Sequence, residues 1–180
     1  MSNLWHFTRE LGADMTLFSG GKGPRGPQSA GLVLGRSALI ANGPPNHNLG
    51  RPMKVGKEAM VGMLAAVQCA LGQDEPALLA SYEATVQGWI AGLAGLPGVS
   101  VERGFPSEAG QPHARAIVHF GADCPVDRDA GVAALWDRNP RVAVGTHANG
   151  AIGLNPQTLE LGEETLVLEA LREVLGRACG

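Results

Sequence analysis

An α/β fold is predicted for this chain, and three features of the sequence predict it. A short apolar run, Met15 to Phe18, stops abruptly at Ser19-Gly20-Gly21-Lys22, as a buried strand does where it opens into a loop. Aromatic residues make up only 4% of the 180 residues while glycine and alanine are abundant, so the core must be built from Ala, Leu, Val and Ile. That suits an α/β enzyme better than an all-β binding module. Beyond Gly98 the order strand, strand, helix, strand, strand, helix describes a compact α+β unit.

Each element follows from local pattern. Leu4 to Leu11 has helical spacing, with Leu4, Phe7 and Leu11 on one face and Gly12 as a stop. The strand at Met15 to Phe18 leads into the Lys22 loop, and a second strand runs from Ala30 to Leu34. Ser37 is placed to cap a short helical turn reaching Ile40. Proline and glycine punctuate Asn42 to Pro52 throughout, which excludes regular structure there. A long apolar helix spans Glu58 to Leu71. Another begins at Pro76, with Leu79, Tyr82, Val86, Trp89, Ile90 and Leu93 at three-to-four spacing. Strands are expected at Val99 to Arg103 and Ala114 to Phe120, the second alternating as a strand covered on one side does. Asp127 or Asp129 caps a helix to Trp136, which Asn139-Pro140 terminates. Arg141 to Gly145 and Ala151 to Leu154 form a further strand pair, and Glu163 to Cys179 a last amphipathic helix. The domain boundary falls within the helical middle, residues 58 to 98.

Bulk properties exclude several function classes. A formal net charge of -3, with only 17% charged residues, gives no general electrostatic case for nucleic acid or an anionic membrane surface. No apolar run is long enough to span a bilayer, and the N-terminal residues lack signal-peptide character, so a cytoplasmic protein is expected. The cysteines Cys69, Cys124 and Cys179 are odd in number and far apart, which suggests neither a disulfide framework nor a zinc site. Cys69, in an apolar helical run, reads as core.

The chemistry centres on Lys22. Glycines after a strand let backbone approach a ligand while the strand fixes the side chain's direction. Burial beside another cation, here Arg25, would favour the neutral amine that forms Schiff bases, and a solvated loop lysine beside a turn is the alternative that the local pattern leaves open. A nucleotide phosphate loop is excluded by spacing, because it requires glycine where Thr16 stands and Ser or Thr where Gly23 stands. Two cations in the Gly/Pro loop before a helix, Arg51 and Lys54, suit a carboxylate or phosphate, with a solvated charge cluster flanking the helix as the alternative. Arg25 and Gln28 are equally compatible with shaping the turn, and His147 is read as a hydrogen-bonding loop residue.

Three blocks taken together carry a resemblance. The run Phe18-Ser19-Gly20-Gly21-Lys22 with Arg25-Gly26-Pro27-Gln28-Ser29-Ala30-Gly31 is the first. Asn46-His47-Asn48-Leu49-Gly50-Arg51-Pro52-Met53-Lys54 through Glu58 is the second, and Leu154-Asn155-Pro156-Gln157-Thr158-Leu159 with Gly162-Glu163-Glu164 the third. In this order they resemble the selenocysteine synthase-like group of fold-type I pyridoxal phosphate-dependent enzymes. That group includes bacterial L-seryl-tRNA(Sec) selenium transferase and D-glucosaminate-6-phosphate ammonia-lyase relatives. The resemblance implies pyridoxal 5'-phosphate bound covalently at Lys22, with Ser19 and Gly20 as further cofactor contacts. It also implies that Arg51, Lys54 and Arg25 bind a small anionic, amino-bearing substrate.

Such enzymes place most of the large domain before the lysine, so the resemblance covers only their C-terminal half. It implies the end of the large domain in residues 1–57, a helical linker in 58–98 and a small α+β domain in 99–180. A homo-oligomer or the missing N-terminal half is the expected partner, because a sheet of two strands has exposed edges and an uncovered face. The implied reaction is lyase-type ammonia elimination from an amino acid or amino sugar acid. Selenium transfer on seryl-tRNA is the alternative enzyme reading; selenocysteine synthases carry aspartate where this chain has Gly21, which favours the lyase. The remaining alternative is a non-catalytic truncated fragment.

Overall fold

The computed structural model describes residues 4–49, 52–147 and 149–176. The chain divides into two compact units, Met1–Glu75 and Pro76–Gly180.

The first unit begins with a wide helical turn, His6–Glu10, closed by a hydrogen bond from Leu11 N to His6 O (3.0 Å) and stopped at Gly12, whose φ is +76°. The five-residue closure breaks the three-to-four spacing read from the sequence. Leu4 is buried, whereas Phe7 and Leu11 of the expected face are exposed. Strand β1 (Met15–Ser19) pairs antiparallel with β2 (Gly31–Gly35), Leu17 lying opposite Val33 and Ser19 opposite Gly31. Thr16, Phe18, Leu32 and Leu34 are half-buried, and the Phe18 ring meets Phe7 with centroids 6.4 Å apart. Met15, Leu17 and Val33 are exposed. The expectation of a buried strand at Met15 to Phe18 is therefore corrected: among the described residues its sheet has two strands, and one face has no second layer.

Helix α1 (Ser37–Ala41) has Arg36 rather than Ser37 at its cap position and no side-chain cap. Turns fill Asn42 to Leu49, as the prolines and glycines require. Helix α2 (Lys57–Leu71) buries Met63 and lays Gly62 on Pro27, where a β-carbon at Gly62 would stand 2.7 Å from Pro27 Cγ. Its opposite side, with Met60, Val61 and Leu64, is exposed. Cys69, expected in the core, is exposed too, because only one side of the helix is covered. Cys179 lies outside the described residues.

The second unit contains an extensive core. Helix α3 (Glu75–Leu93) carries the predicted stripe, with Val86, Trp89 and Leu93 buried and Leu79, Tyr82 and Ile90 half-buried. It is followed by β3 (Val99–Gly104), β4 (Arg115–Phe120), α4 (Arg128–Trp136), β5 (Gly145–Thr146), β6 (Ile152–Leu154) and α5 (Glu163–Leu175). The predicted order of elements is observed. The strands form one sheet in the order β3-β4-β6-β5, antiparallel at every step. Val118, Ile152, Leu135, Leu171 and Leu175 close around Trp89, whose Nε1 donates to Glu164 O at 2.9 Å.

Ala116, Ile117 and Val118 of β4 are all buried, although the alternation predicted a strand covered on one side only. Ile117 lies over Gly104, where a β-carbon would come within 2.9 Å of Ile117 Cγ1. Asp127 is the α4 cap, its Oδ1 accepting from Ala130 N at 2.8 Å. Helix α5 ends at Leu175, short of the predicted Cys179, with Gly176 at its cap position. No helix among the described residues is long and apolar enough to cross a membrane.

Candidate functional site

The loop between β1 and β2 is held by its own backbone. Gly20 N donates to Ala30 O (2.9 Å), Gly26 N donates to Gly20 O (2.8 Å), and Arg25 N donates to Lys22 O (2.9 Å). Gly20 is buried, and a β-carbon on it would stand 2.5 Å from Ala30 O and 2.7 Å from Pro27 O. Two backbone oxygens thus occupy the space, and only glycine fits. Helix α2 backs the loop through Met63 and Ala66, the latter's Cβ lying 2.9 Å from where a β-carbon of Gly26 would be. Arg25 is left-handed (φ +54°), the single non-glycine residue with positive φ among those described. Such backbone persists where surrounding structure over-determines it, often at functional sites. Gln28 Nε2 donates to Gly21 O at 3.3 Å, and the Gln28 amide fills the space a side chain at Gly21 would take. Gln28 therefore shapes the turn.

Lys22 stands on this fixed turn with its side chain exposed, the solvated one of the two placements that the local sequence leaves open. The structure gathers Ser19, Gly20, Lys22 and Arg25 into one turn. Ser19 ends β1 opposite Gly31. Lys54 is exposed three residues before α2. Arg51, its expected companion, lies outside the described residues. What the arrangement offers chemically is an accessible primary amine, held by a rigid turn with a guanidinium-bearing residue three positions on.

The loop at His147 and the later block of the resemblance, from Leu154, are both built as structure. His147 N donates to Ala151 O (2.9 Å), and Arg128 Nη1 donates to His147 O (3.3 Å). Asn149 Oδ1 accepts from Ala151 N at 3.3 Å. Asn155 Oδ1 accepts from Gln157 N (3.0 Å), capping the turn Pro156–Thr158, and lies 3.1 Å from Nε2 of the buried His113. Because Asn155 Oδ1 is an acceptor, His113 Nε2 is the donor. Burial holds the His113 imidazole below its ordinary pKa. The sequence reading missed His113, which sits inside a polar loop with no local signal.

Two cavities lie apart from the lysine. An open groove of about 720 Å³ in the first unit is lined by Trp5, Arg9, Val33, Arg36 and Ile40. Its arginines are engaged, Arg36 with Asp14 at 2.8 Å and Arg9 over the Trp5 ring at 4.7 Å. A cavity of about 240 Å³ in the second unit includes Glu108 and Arg115, paired with each other at 2.9 Å. No group of three or more potential metal ligands occurs among the described residues.

No family model matches the chain. It is 30% identical over 176 residues to the D-glucosaminate-6-phosphate ammonia lyase of Salmonella typhimurium, a match covering 93% of this chain and 45% of that enzyme. A solved structure of D-glucosaminate-6-phosphate ammonia-lyase superposes with a TM-score of 0.69 at 27% identity, over 91% of this chain and 44% of that one. The chain is homologous to part of this lyase. A second relative is the 5'-C-glycyluridine monooxygenase-decarboxylase of a Streptomyces species, 27% identical over 173 residues, or 91% of this chain and 42% of the relative. The chain thus spans less than half the length of the curated relatives it matches. The α/β fold expected from the resemblance, that of part of a fold-type I enzyme, is the fold observed.

Proposed function

We propose that the chain supplies the lysine-bearing part of a pyridoxal phosphate-dependent lyase that eliminates ammonia from an amino acid or amino sugar acid. One observation carries this reading: Lys22 presents an accessible amine from a turn pinned by three backbone hydrogen bonds at the end of β1, in a chain homologous to an ammonia-lyase. The residues present fit a cofactor aldehyde. Lys22 is reachable, and Gly20 is packed so tightly that the turn cannot retreat from a ligand.

In this reading Lys22 holds the cofactor covalently, and Ser19 and Gly20 line its approach. Arg25 and Lys54, with Arg51, hold the anionic end of the substrate, since guanidinium and ammonium groups suit carboxylate and phosphate oxygens. The bound cofactor supplies an electron sink for carbanion chemistry. With the cofactor bound, the Lys22 amine would take and return a proton at the substrate's reacting carbons, the work of a general acid/base.

The chain has only three lysines, Lys22, Lys54 and Lys57, which makes the test simple. Pyridoxal phosphate added to the 180-residue chain should give a yellow absorbance, and borohydride should fix the label on Lys22. Lys22→Ala should lose the colour, whereas Lys54→Ala and Lys57→Ala should keep it. A label spread evenly over the three lysines, or colour that survives Lys22→Ala, overturns the reading.

A further inference from the structure

The cavity of the second unit has the makings of a binding site of its own. Its opening follows from how the chain enters β5. Val142 N donates to Leu135 O at 3.0 Å, near the end of α4, so the residues before Gly145 leave the ladder and only Gly145 and Thr146 pair with β6. Both segments, Val142 to Gly145 and Gly153 to Asn155, line the resulting space of about 240 Å³. Every residue around it belongs to the second unit.

The lining combines an apolar wall with a few polar side chains. Trp89, Val142, Leu159 and Val167 form the wall, and Trp89 Nε1 is already bound to Glu164 O. Asn155 Oδ1 is occupied by Gln157 N and His113 Nε2, which leaves the amide NH2 to donate. Arg115 is held incompletely: its Nη1 donates to Glu108 at 2.9 Å, but the Glu108 side chain is 68% exposed, and Arg115 Nε is buried with no acceptor. An exposed ion pair contributes little, whereas a buried donor without an acceptor is costly. The guanidinium therefore gains by turning its Nε–Nη2 edge to a carboxylate in the cavity, which accepts both bonds at once. Size limits what the carboxylate can carry. At roughly 30 Å³ per heavy atom the space takes about eight, those of a six-carbon monocarboxylate. We infer that the cavity binds a short aliphatic monocarboxylate, its head on Arg115 and Asn155 and its tail against Trp89 and Val142. Glu108 is the acidic residue at the rim, and its like charge weakens the complex.

The test titrates the full chain with isocaproate and follows the indole N–H resonance of Trp89 by NMR, identified as the one that Trp5→Phe and Trp136→Phe leave in place. A saturable shift with a dissociation constant of about 1 mM or lower is expected. Isocaproamide, which lacks the charge, and acetate, which lacks the tail, should each bind about tenfold more weakly or worse. Arg115→Gln should weaken isocaproate binding by about tenfold or more, and Glu108→Gln should strengthen it about threefold. Glu102→Gln makes the same change of charge beside His119 and should leave the affinity as it is. No saturable shift up to about 10 mM, an amide that binds as well as the acid, or a Glu108→Gln affinity equal to that of the native chain would each overturn the inference. The Glu108 result decides even if Arg115→Gln does not fold, because that carboxylate is exposed. Lys22→Ala should bind isocaproate unchanged, so the cofactor reading and this one stand or fall separately.

Discussion

Gly20 sets the geometry of the lysine turn more strictly than Lys22 itself does. Its missing β-carbon would meet two backbone oxygens at 2.5 and 2.7 Å, and backbone cannot swing aside as a side-chain tip can. Gly20→Ala should therefore cost about 1–3 kcal/mol of local strain. The expected outcome is loss of the pyridoxal colour without any change in the second unit's tryptophan fluorescence, which Trp89 and Trp136 report. His113 gives a pH prediction. Burial lowers its pKa in the folded chain, while the unfolded chain takes up the proton near the ordinary value of 6.5. Below 6.5 the unfolded state then binds more protons, so stability falls as pH drops and is independent of this group above that value. Urea midpoints at pH values on either side of 6.5 should differ for the native chain, and the difference should shrink in His113→Gln. The two residues were not equally legible. Gly/Pro punctuation after an apolar run makes the Lys22 turn readable in the sequence. The His113–Asn155 bond joins positions 42 residues apart, and no local pattern announces it.

At the scale of elements, periodicity reported which residues share a face but not what that face touches. It gave the α3 stripe of Val86, Trp89 and Leu93 correctly because a sheet and a helix are there to receive it. The same logic expected Met15–Phe18 and Cys69 to be buried, and both failed for one reason: their elements are covered on one side only. The turn at His6–Glu10 failed differently, since its wider closure shifts every later side chain off the predicted stripe. Capping was readable to the residue, or nearly so. Two aspartates were candidates for α4, and the geometry selects Asp127, whose Oδ1 meets Ala130 N. Asp127→Ala should lower the stability of the second unit by about 1 kcal/mol in chemical denaturation, whereas Asp129→Ala should not.

At the scale of the whole molecule the two units differ in kind. The second surrounds Trp89 with a continuous apolar core, and the first has almost none among its described residues. Hydrogen exchange should resolve the contrast: amides of β4, β6 and α5 should exchange slowest, and those of β1 and β2 several orders of magnitude faster in the chain studied alone. Equal protection in both sheets would contradict it. Fold class and element order of the second unit were legible because its elements satisfy one another. The first unit was legible only as pattern, since among the described residues no second layer covers the outer face of its sheet. That imbalance has a consequence during synthesis. Residues 15–35 leave the ribosome well before the core of residues 86–175 is finished, a lag of roughly ten seconds at about 5–20 residues per second. Throughout that interval two strands without charge or proline hold their leucine and valine side chains in water, with no finished core beside them to shield them.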